Sequence, residues 1–394
     1  MQTHILNALA NKPENYSLTG AFYNDPAHYQ ADLENIWYRD WIFAGHDFEL
    51  PNAGDYMTFP LGEHNIVIIN DGQSLHAFIN RCPVSGYPLC NEETGNQEFL
   101  GDSGATIQYQ LDGQAIGEEP AELRAVALNS VHSYLFVCLA EEPEDFEAFR
   151  STVAPYIAPH NLDAVKIAAQ SSIVEEGNWK LVFENNRECY HCLSNHPELI
   201  ITYPEDPSIT GVNPSGDVPA MVSDHWQSCE DAGIPSRFKI GPNGDYRVAR
   251  MPLLKNFTSY TMNGENAVDK PLCDPSLPNV GALVMFHYPN TWNHMLGDHV
   301  ISFRVLPLSP QSTLVTTKWL VHKDAEENSN YTLNTLQEVW EATNAQDKHL
   351  VEENQRGINS PLYEPGPYSE NYEDGVIQFV DWYSRTLSQR LQEA

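Results

Sequence analysis

The stretch Glu184-Asn-Asn-Arg-Glu188-Cys-Tyr-His191-Cys-Leu-Ser-Asn-His196-Pro197 carries the strongest signal in this 394-residue chain. Imidazoles together with one carboxylate form a ligand set that suits Fe(II). His196 follows His191 by five positions, so on a regular helix their side chains would point about 140° apart. Pro197 disfavours helical geometry at His196, which is therefore expected just beyond a helix end, where it can turn back. Taken alone, the His-x4-His spacing is a weak signal for a metal site.

The composition is that of a folded protein with a substantial core. Hydrophobic residues make up 41% of the chain, and its length allows two domains. The longest apolar runs, such as Ile66-Val-Ile-Ile69, are far shorter than the roughly 20 residues of a membrane span. The first residues show no secretory signal. We therefore expect a cytoplasmic protein.

The charge of the chain limits the partners that it can bind, and its cysteine content indicates whether disulfides are expected. The 54 acidic residues outnumber the 21 basic ones and give a net charge of −33, which disfavours nucleic acid and anionic membranes. This acidity either favours cationic partners or reflects solubility alone. Seven unevenly spaced cysteines in a long chain argue against a disulfide framework and indicate free thiols.

Changes in local composition and residue pattern divide the chain into three parts. Residues 1–44 form an N-terminal segment, with one short helix expected over 32–44. Short β-branched and aromatic runs between turn residues predict a small antiparallel β domain over 45–155. The larger domain, 156–394, contains a Pro- and Gly-rich stretch, 204–280, which predicts a long excursion over the mouth of the active site. Strands are expected at 280–288, 299–306 and 313–322, and two helices at 331–350 and 372–391.

The run Glu-x-x-His-x4-His-Pro resembles the catalytic motif of the large (alpha) subunit of the Rieske non-haem iron oxygenases. The late segment Gln346-Asp347-Lys-His-Leu-Val-Glu-Glu-Asn-Gln-Arg-Gly357 is similar to the helix that carries the third iron ligand in that family. The resemblance implies that His191, His196 and Asp347 bind a mononuclear Fe(II), with Asp347 and Glu188 as catalytic residues. Glu188 would be the carboxylate that bridges to the cluster of a neighbouring subunit; the alternative is a solvated helix glutamate.

Further runs, such as Tyr203-Pro-Glu-Asp-Pro207 and Thr291-Trp-Asn-His-Met-Leu-Gly-Asp-His299, are similar to one branch of this family, the hydroxylases and demethylases of quaternary ammonium compounds. The resemblance implies an α+β protein with a small antiparallel β Rieske-like domain. Its larger catalytic domain would have an antiparallel sheet flanked by helices, of the helix-grip type. The implied activity is O2-dependent hydroxylation of an N-methyl group, followed by loss of formaldehyde. A quaternary ammonium group has no proton to donate, so its binding needs aromatic faces. The candidates are Tyr203, Trp226, Phe257, Tyr260, Phe286, Tyr288 and Trp292.

The region that would carry a Rieske cluster departs from the family pattern. Such a cluster needs two thiolates and two imidazoles. An ungapped comparison places the four ligand positions at Cys82, Val84, Asp102 and Ala105, of which only Cys82 offers a suitable donor. We therefore expect no [2Fe–2S] cluster in this chain and a β domain kept for packing and docking; a replacement metal is a less favoured alternative.

Two functions are consistent with these features. In the first, the chain is an oxygenase subunit that receives electrons from a Rieske-bearing paralogous subunit, or from a separate Rieske protein and reductase. A head-to-tail ring of three cannot alternate two chain types, so a trimer of 2:1 composition or a larger hetero-oligomer is expected. In the second, the chain is a non-catalytic structural or regulatory partner of an active subunit. A metal hydrolase has no motif in its favour.

Overall fold

The computed structural model describes residues 2–101, 107–117, 122–204 and 218–393. The chain forms two compact units, one made of Met1–Ile36 with Glu147–Ala394 and the other of Trp37–Phe146. The N-terminal helices thus belong to the larger unit. The sequence predicts domain boundaries at residues 44 and 155 instead. The functions that it assigns to the three parts 1–44, 45–155 and 156–394 stay predictions.

The smaller unit is an antiparallel β structure, as predicted. Its described strands form sheets in the orders β1-β10-β9, β4-β3-β2-β5 and β6-β7-β8. Strand β3 lies between two neighbours, and its β-branched run Ile66-Val-Ile-Ile69 is wholly buried. The strands are β1 Ile42–His46, β2 Asp55–Leu61, β3 His64–Asn70, β4 Leu75–Ile79, β5 Thr94–Asn96, β6 Leu100–Gly101, β7 Gln108–Tyr109, β8 Ala115–Ile116, β9 Ala127–Val131 and β10 Tyr134–Cys138.

The larger unit is built on an antiparallel sheet with the strand order β11-β17-β16-β15-β14-β13-β12. The strands are β11 Val165–Glu175, β12 Lys239–Ile240, β13 Tyr246–Met251, β14 Ala282–His287, β15 Thr291–Met295, β16 His299–Ser309 and β17 Ser312–His322. The helices are α1 Gln2–Ala10, α2 Ala21–Asn24, α3 Pro26–Asp32, α4 Glu147–Ile157, α5 Trp179–Asn186, α6 Cys192–Asn195, α7 Ala220–Asp231, α8 Leu333–Ile358 and α9 Asp374–Glu393. The predicted α+β class, the late strands and both C-terminal helices are confirmed.

Two sequence predictions about local structure are wrong in part. The helix expected over 32–44 ends early, because a π-helical turn at Leu33–Trp37 closes it and β1 begins at Ile42. Ile42 and Phe43 pair with Val137 and Phe136 of β10. Since β-branched and aromatic residues favour strands, this pairing outweighs the helical spacing of the charged residues. The stretch 204–280 is not one long loop, since its described part holds α7, β12 and β13. Its turn residues lie between these elements, as in Pro242-Asn-Gly244 between β12 and β13.

Among the described helices, none is both long enough and apolar enough to cross a membrane.

A buried ion pair fixes α5 inside the larger unit. The ammonium of Lys180 contacts a carboxylate oxygen of Asp32 at the end of α3, and neither side chain is exposed to solvent. The same carboxylate accepts hydrogen bonds from Trp179 Nε1 (3.2 Å) and from the Tyr383 hydroxyl of α9 (2.6 Å). Burial lowers the pKa of Lys180, and the charge of Asp32 opposes that shift. Each of the two buried charges therefore needs the other as its counter-charge.

We predict that Asp32→Asn lowers the free energy of unfolding by about 3–5 kcal/mol, because it leaves the Lys180 ammonium buried without a counter-charge. Denaturant unfolding followed by circular dichroism measures this loss. The matched control is Glu353→Gln, which removes an exposed pair with Arg356 on α8 and should change stability little. Equal losses in the two variants would contradict the prediction.

Candidate metal centre

The histidine segment folds as two short helices joined by a turn. Helix α5 ends at Asn186, Arg187 caps it with non-helical backbone angles, and α6 begins only after His191. His196 follows α6 with φ −118° and ψ 64°, so the prediction that it lies just beyond a helix end is confirmed. Glu188, however, is not on a helix with His191, because α5 has already ended. The turn still brings the two side chains together.

Three donor atoms converge between this segment and α8. The Nε2 atoms of His191 and His196 are 2.9 Å apart. Oδ1 of Asp347 lies 3.0 Å from Nε2 of His196 and 3.4 Å from Nε2 of His191. The structure thus brings together the three residues that the sequence predicts as iron ligands, although Asp347 is about 150 residues away along the chain.

Hydrogen bonds on the outer side of each ring orient the imidazoles. Nδ1 of His191 lies 2.5 Å from Oε1 of Glu188, and Nδ1 of His196 lies 2.8 Å from Oε1 of Gln346. Both acceptors have no proton to give, so each Nδ1 is the protonated nitrogen. In the neutral imidazole the Nε2 lone pair then faces the centre. Histidines that bind metals are oriented in the same way, by a hydrogen bond from the other ring nitrogen. Asn185 Nδ2 donates to Oδ1 of Asp347 over 2.7 Å and fixes the third donor.

This donor set fits a first-row transition metal. Ligand atoms held about 2.1 Å from a metal and about 90° apart stand roughly 3 Å from each other, which is the spacing found here. Burial alone would lower the pKa of His191, but its hydrogen bonds to the carboxylates of Asp347 and Glu188 raise it to about 9. Burial would raise the pKa of Asp347, and the two histidines instead lower it to about 2. Both shifts show that the centre favours positive charge, which a divalent cation supplies.

The two cysteines beside the histidines are bonded to each other, contrary to the expectation of seven free thiols. Cys189 and Cys192 form a disulfide with their Cα atoms 4.9 Å apart. The turn that ends α5 brings them together, a local geometry that an argument from compartment and spacing does not capture. Cys192 Sγ lies within 4.8 Å of the histidine nitrogens, but its bond to Cys189 removes the thiolate as a ligand. The other cysteines are free and buried: Cys82, Cys90, Cys138, Cys229 and Cys273.

A cavity lies on one face of the sheet, near the turn that follows α5. Glu188 lines it and contacts the outer nitrogen of His191, so this residue connects the cavity with the histidine, although none of the three donor residues lines the cavity. Arg247 on β13 pairs with Phe286 on β14, and both side chains line the cavity together with Tyr203. Arg187 completes the wall next to Glu188. Sequence reasoning missed both arginines, although Arg187 stands inside the motif itself.

The predicted aromatic residues are distributed over several environments. Tyr203 and Phe286 line the cavity, whereas Trp226, Phe257, Tyr260, Tyr288 and Trp292 are not among its lining residues. Trp226 donates Nε1 to the carbonyl of Arg250 over 2.6 Å. Trp292 stacks on Phe303 with 4.8 Å between ring centroids, and the Tyr288 hydroxyl accepts a bond from Arg187. These contacts are structural, and the substrate roles of the three residues stay predictions.

Tyr260 belongs to a second aromatic group near Tyr203. Its ring centroid lies 6.1 Å from that of Tyr203, 5.7 Å from His294 and 5.9 Å from Trp340. The Tyr260 hydroxyl, His294 Nδ1 and Trp340 Nε1 are buried and make no hydrogen bond to described residues. Sequence reasoning missed His294 and Trp340: His294 lies on β15, which the sequence analysis does not predict as a strand, and Trp340 lies on α8.

The loop that carries the first two cluster positions is well ordered by hydrogen bonds. Asn80 Oδ1 accepts from the backbone of Leu89 and Cys90, and its Nδ2 donates to the Cys90 carbonyl over 2.7 Å. Cys82 is buried in a hydrophobic cluster, while Val84 is 53% exposed. The other two positions, Asp102 and Ala105, lie outside the described residues. The absence of a cluster therefore stays a prediction.

The chain belongs to the family of ring-hydroxylating alpha subunits, whose catalytic domain it matches over residues 162–389. Its relatives include the glycine betaine monooxygenase oxygenase subunit of Chromohalobacter salexigens, 41% identical over 97% of this chain and 88% of the relative. The protein of that name from Pseudomonas aeruginosa strain UCBPP-PA14 is 39% identical over 98% of this chain and 92% of the relative.

Solved structures show the same fold. The quaternary ammonium Rieske monooxygenase CntA in complex with L-carnitine superposes with a TM-score of 0.68 at 18% identity, covering 98% of both chains. Naphthalene 1,2-dioxygenase from Rhodococcus sp. bound to indole gives 0.70 at 15% identity, again covering 98% of both. The likeness confirms the fold class expected from the sequence.

We predict that the purified chain, loaded with Fe(II) without oxygen and then dialysed, retains about one iron per chain. His191→Ala, His196→Ala and Asp347→Asn should each remove most of it, because each deletes one of three converging donors. His349→Ala is the matched control, since this exposed histidine lies on the same helix as Asp347. Elemental analysis measures the iron, and full retention in all three variants would contradict the assignment.

Proposed function

We propose that this chain is the oxygenase subunit of a Rieske-type system that hydroxylates and N-demethylates a quaternary ammonium compound related to glycine betaine. The observation that carries the proposal is the convergence of His191, His196 and Asp347 on one centre. Glu188, which orients His191, also lines a cavity with aromatic walls. The relatives with 39–41% identity are glycine betaine monooxygenase subunits, which supports the substrate class.

The residues around the centre would each perform a defined task. When bound, iron would supply the dioxygen chemistry that converts an N-methyl group to a hydroxymethyl group, which is lost as formaldehyde. Glu188 and Gln346 hold the two imidazoles in the orientation that directs Nε2 to the metal. Asn185 holds Asp347 by a direct hydrogen bond. Gln346 is held in turn by Glu198, over 2.9 Å.

The cavity offers the contacts that a quaternary ammonium group can use. Such a cation has no N–H to donate, so it gains from the electron-rich faces of aromatic rings and from nearby carboxylates. Tyr203 and Phe286 supply rings in the cavity, and Tyr260 lies behind Tyr203. Burial raises the pKa of Tyr203, which keeps its ring neutral and its hydroxyl protonated. Trp226, Tyr288 and Trp292 support this wall indirectly, through packing.

The electrons would come from outside this chain. Val84 and Ala105 have no donor atoms, so we propose that the β unit binds no [2Fe–2S] cluster and that its Rieske motif is degenerate. A Rieske-bearing paralogous subunit, or a separate Rieske protein with its reductase, would then deliver electrons through Glu188. Such an assembly would be a trimer of mixed composition or a larger hetero-oligomer. We place it in the cytoplasm.

The second candidate function is a non-catalytic partner of an active subunit. The observation in its favour is Val84, an exposed valine at a position where the cluster needs an imidazole. In this case the iron site would be a remnant, and the chain would stabilise or tune its partner. The complete donor set and its intact outer hydrogen bonds favour the catalytic function, since a remnant has no reason to keep Gln346 and Glu188 oriented.

We predict that the chain purified alone contains iron but no acid-labile sulfide and consumes no oxygen with glycine betaine and a reductase. Co-expression with a Rieske-bearing paralogue should start oxygen uptake and formaldehyde release in equal amounts. His191→Ala in this chain should abolish that turnover, and Glu188→Gln should slow it while the iron content is kept. Oxygen-electrode and formaldehyde assays measure these outcomes.

The alternatives give different results in the same experiment. A homomer that turns over substrate with a reductase alone would refute the need for a Rieske partner. A complex that keeps full activity with His191→Ala would make this chain a structural partner. Acid-labile sulfide in the purified chain would refute the degenerate motif.

A further inference from the structure

Two arginines line the cavity that contains Glu188, the outer partner of His191. Arg187 is only 7% exposed, and its guanidinium carbon lies 4.0 Å from the centroid of the Phe286 ring. Arg247 enters from β13, with its guanidinium carbon 4.4 Å from the centroid of the Phe238 ring. Phe286 and Phe238 also line the cavity. The aromatic contacts hold both cations in place without neutralising them.

The two guanidiniums differ in how far the protein satisfies them. Arg187 donates Nε to the Tyr288 hydroxyl over 2.8 Å and Nη2 to Gln378 over 3.3 Å. The guanidinium of Arg247 makes no hydrogen bond and no ion pair within 4.0 Å to any described residue, whereas its backbone pairs with Ile240 and Phe286 in the sheet. Asp374 is the carboxylate that raises the pKa of Arg247, but burial and the charge of Arg187 outweigh it and lower that pKa to about 10. Glu188 and Asp374 also line the cavity, but among the described residues neither forms an ion pair with Arg187 or Arg247, so the guanidinium of Arg247 keeps the capacity to bind an anion.

We propose that Arg187 and Arg247 bind the carboxylate of the substrate, so that the enzyme selects zwitterionic betaines over quaternary ammonium compounds without a carboxylate. This inference deepens the proposed function and depends on it. A carboxylate matches the planar donors of a guanidinium and can bridge two of them. An anion at this place also removes the repulsion between the two arginines.

Electrostatic interactions determine which compounds the cavity favours. A quaternary ammonium compound that carries only positive charge is repelled by both guanidiniums when it enters. A betaine has the same ammonium group, but its carboxylate gains from both cations and offsets that repulsion. Choline and glycine betaine have similar ammonium groups and differ at the other end, where one carries a hydroxyl and the other a carboxylate. The arginine pair acts on that end alone.

Tyr203 connects this end of the cavity with the aromatic group. The charges of Arg247 and Arg187 both act on its hydroxyl, and its ring lies 6.1 Å from that of Tyr260. A small zwitterion can therefore place its carboxylate toward the arginines and its methyl groups against aromatic faces. The cavity has complementary parts for both ends of such a molecule.

The test compares ligand binding to the iron-loaded chain under anaerobic conditions. Isothermal calorimetry measures the dissociation constants of glycine betaine and choline for the natural chain, Arg247→Met and Arg247→Lys. We expect Arg247→Met to weaken glycine betaine binding by about tenfold to a hundredfold, the loss typical of a charge-assisted bond. Choline binding should stay weak or improve. Arg247→Lys should recover part of the loss, because it keeps the charge without the planar fork.

Arg237→Met is the matched control, since this neighbouring arginine is exposed and pairs with Glu230 at 3.1 Å. It should leave both dissociation constants unchanged, and thermal melts establish that every variant is folded. Unchanged glycine betaine binding in folded Arg247→Met would overturn the inference but leave the proposed function standing. Equal affinity of the natural chain for choline and glycine betaine would also overturn it. Failure of both compounds to bind the natural chain would refute the proposed substrate class instead.

Discussion

A lysine and an aspartate with no access to water anchor the helix that leads into the candidate metal centre. Lys180 sits in the first turn of α5, and Asp32 ends α3, so the pair joins the N-terminal helices to the catalytic part of the chain. Trp179 and Tyr383 satisfy the remaining acceptor capacity of the carboxylate. Because a buried charge without its partner is strongly destabilising, these contacts hold the start of α5 in place. The turn after Asn186 then starts from a defined point, and Glu188 and His191 follow from it.

The third donor depends on a different set of contacts, which fix α8. Asn344, one turn before Asp347, donates to Thr317 of β17 over 3.0 Å. Toward the other end, Gln355 accepts from the backbone of Asn178, the residue that caps α5. One helix is therefore tied both to the sheet and to the start of the histidine segment. Because the two sides of the centre share this connection, donor atoms from distant parts of the sequence meet within hydrogen-bonding distance.

Local chemistry predicts part of this site, and long-range packing determines the rest. Pro197 suffices to place His196 outside a helix, and its position is as the sequence predicts. Nothing local points from His191 to Asp347, and only resemblance to a known motif connects them. The disulfide between Cys189 and Cys192 depends on the turn after α5, which spacing alone does not specify. Arg247 was missed because β13 lies in a stretch rich in turn residues, so its strand and its inward-facing side chains were hidden.

The charges of the centre and of the cavity complement each other once a divalent cation is present. Asp347 contributes a negative charge at the donor set and Glu188 a second one at the outer nitrogen of His191, and a bound Fe(II) would formally cancel both. The other charged residues that line the cavity are Arg187, Arg247 and Asp374. In a chain with a net charge of −33, two cavity-lining cations without an ion pair to any described residue are not a product of average composition. These two cations make the cavity locally positive inside an acidic protein. The acidic outer surface repels free anions, so an anionic group reaches the cavity only as part of a molecule without net negative charge. A zwitterion meets both conditions, because its net charge is zero.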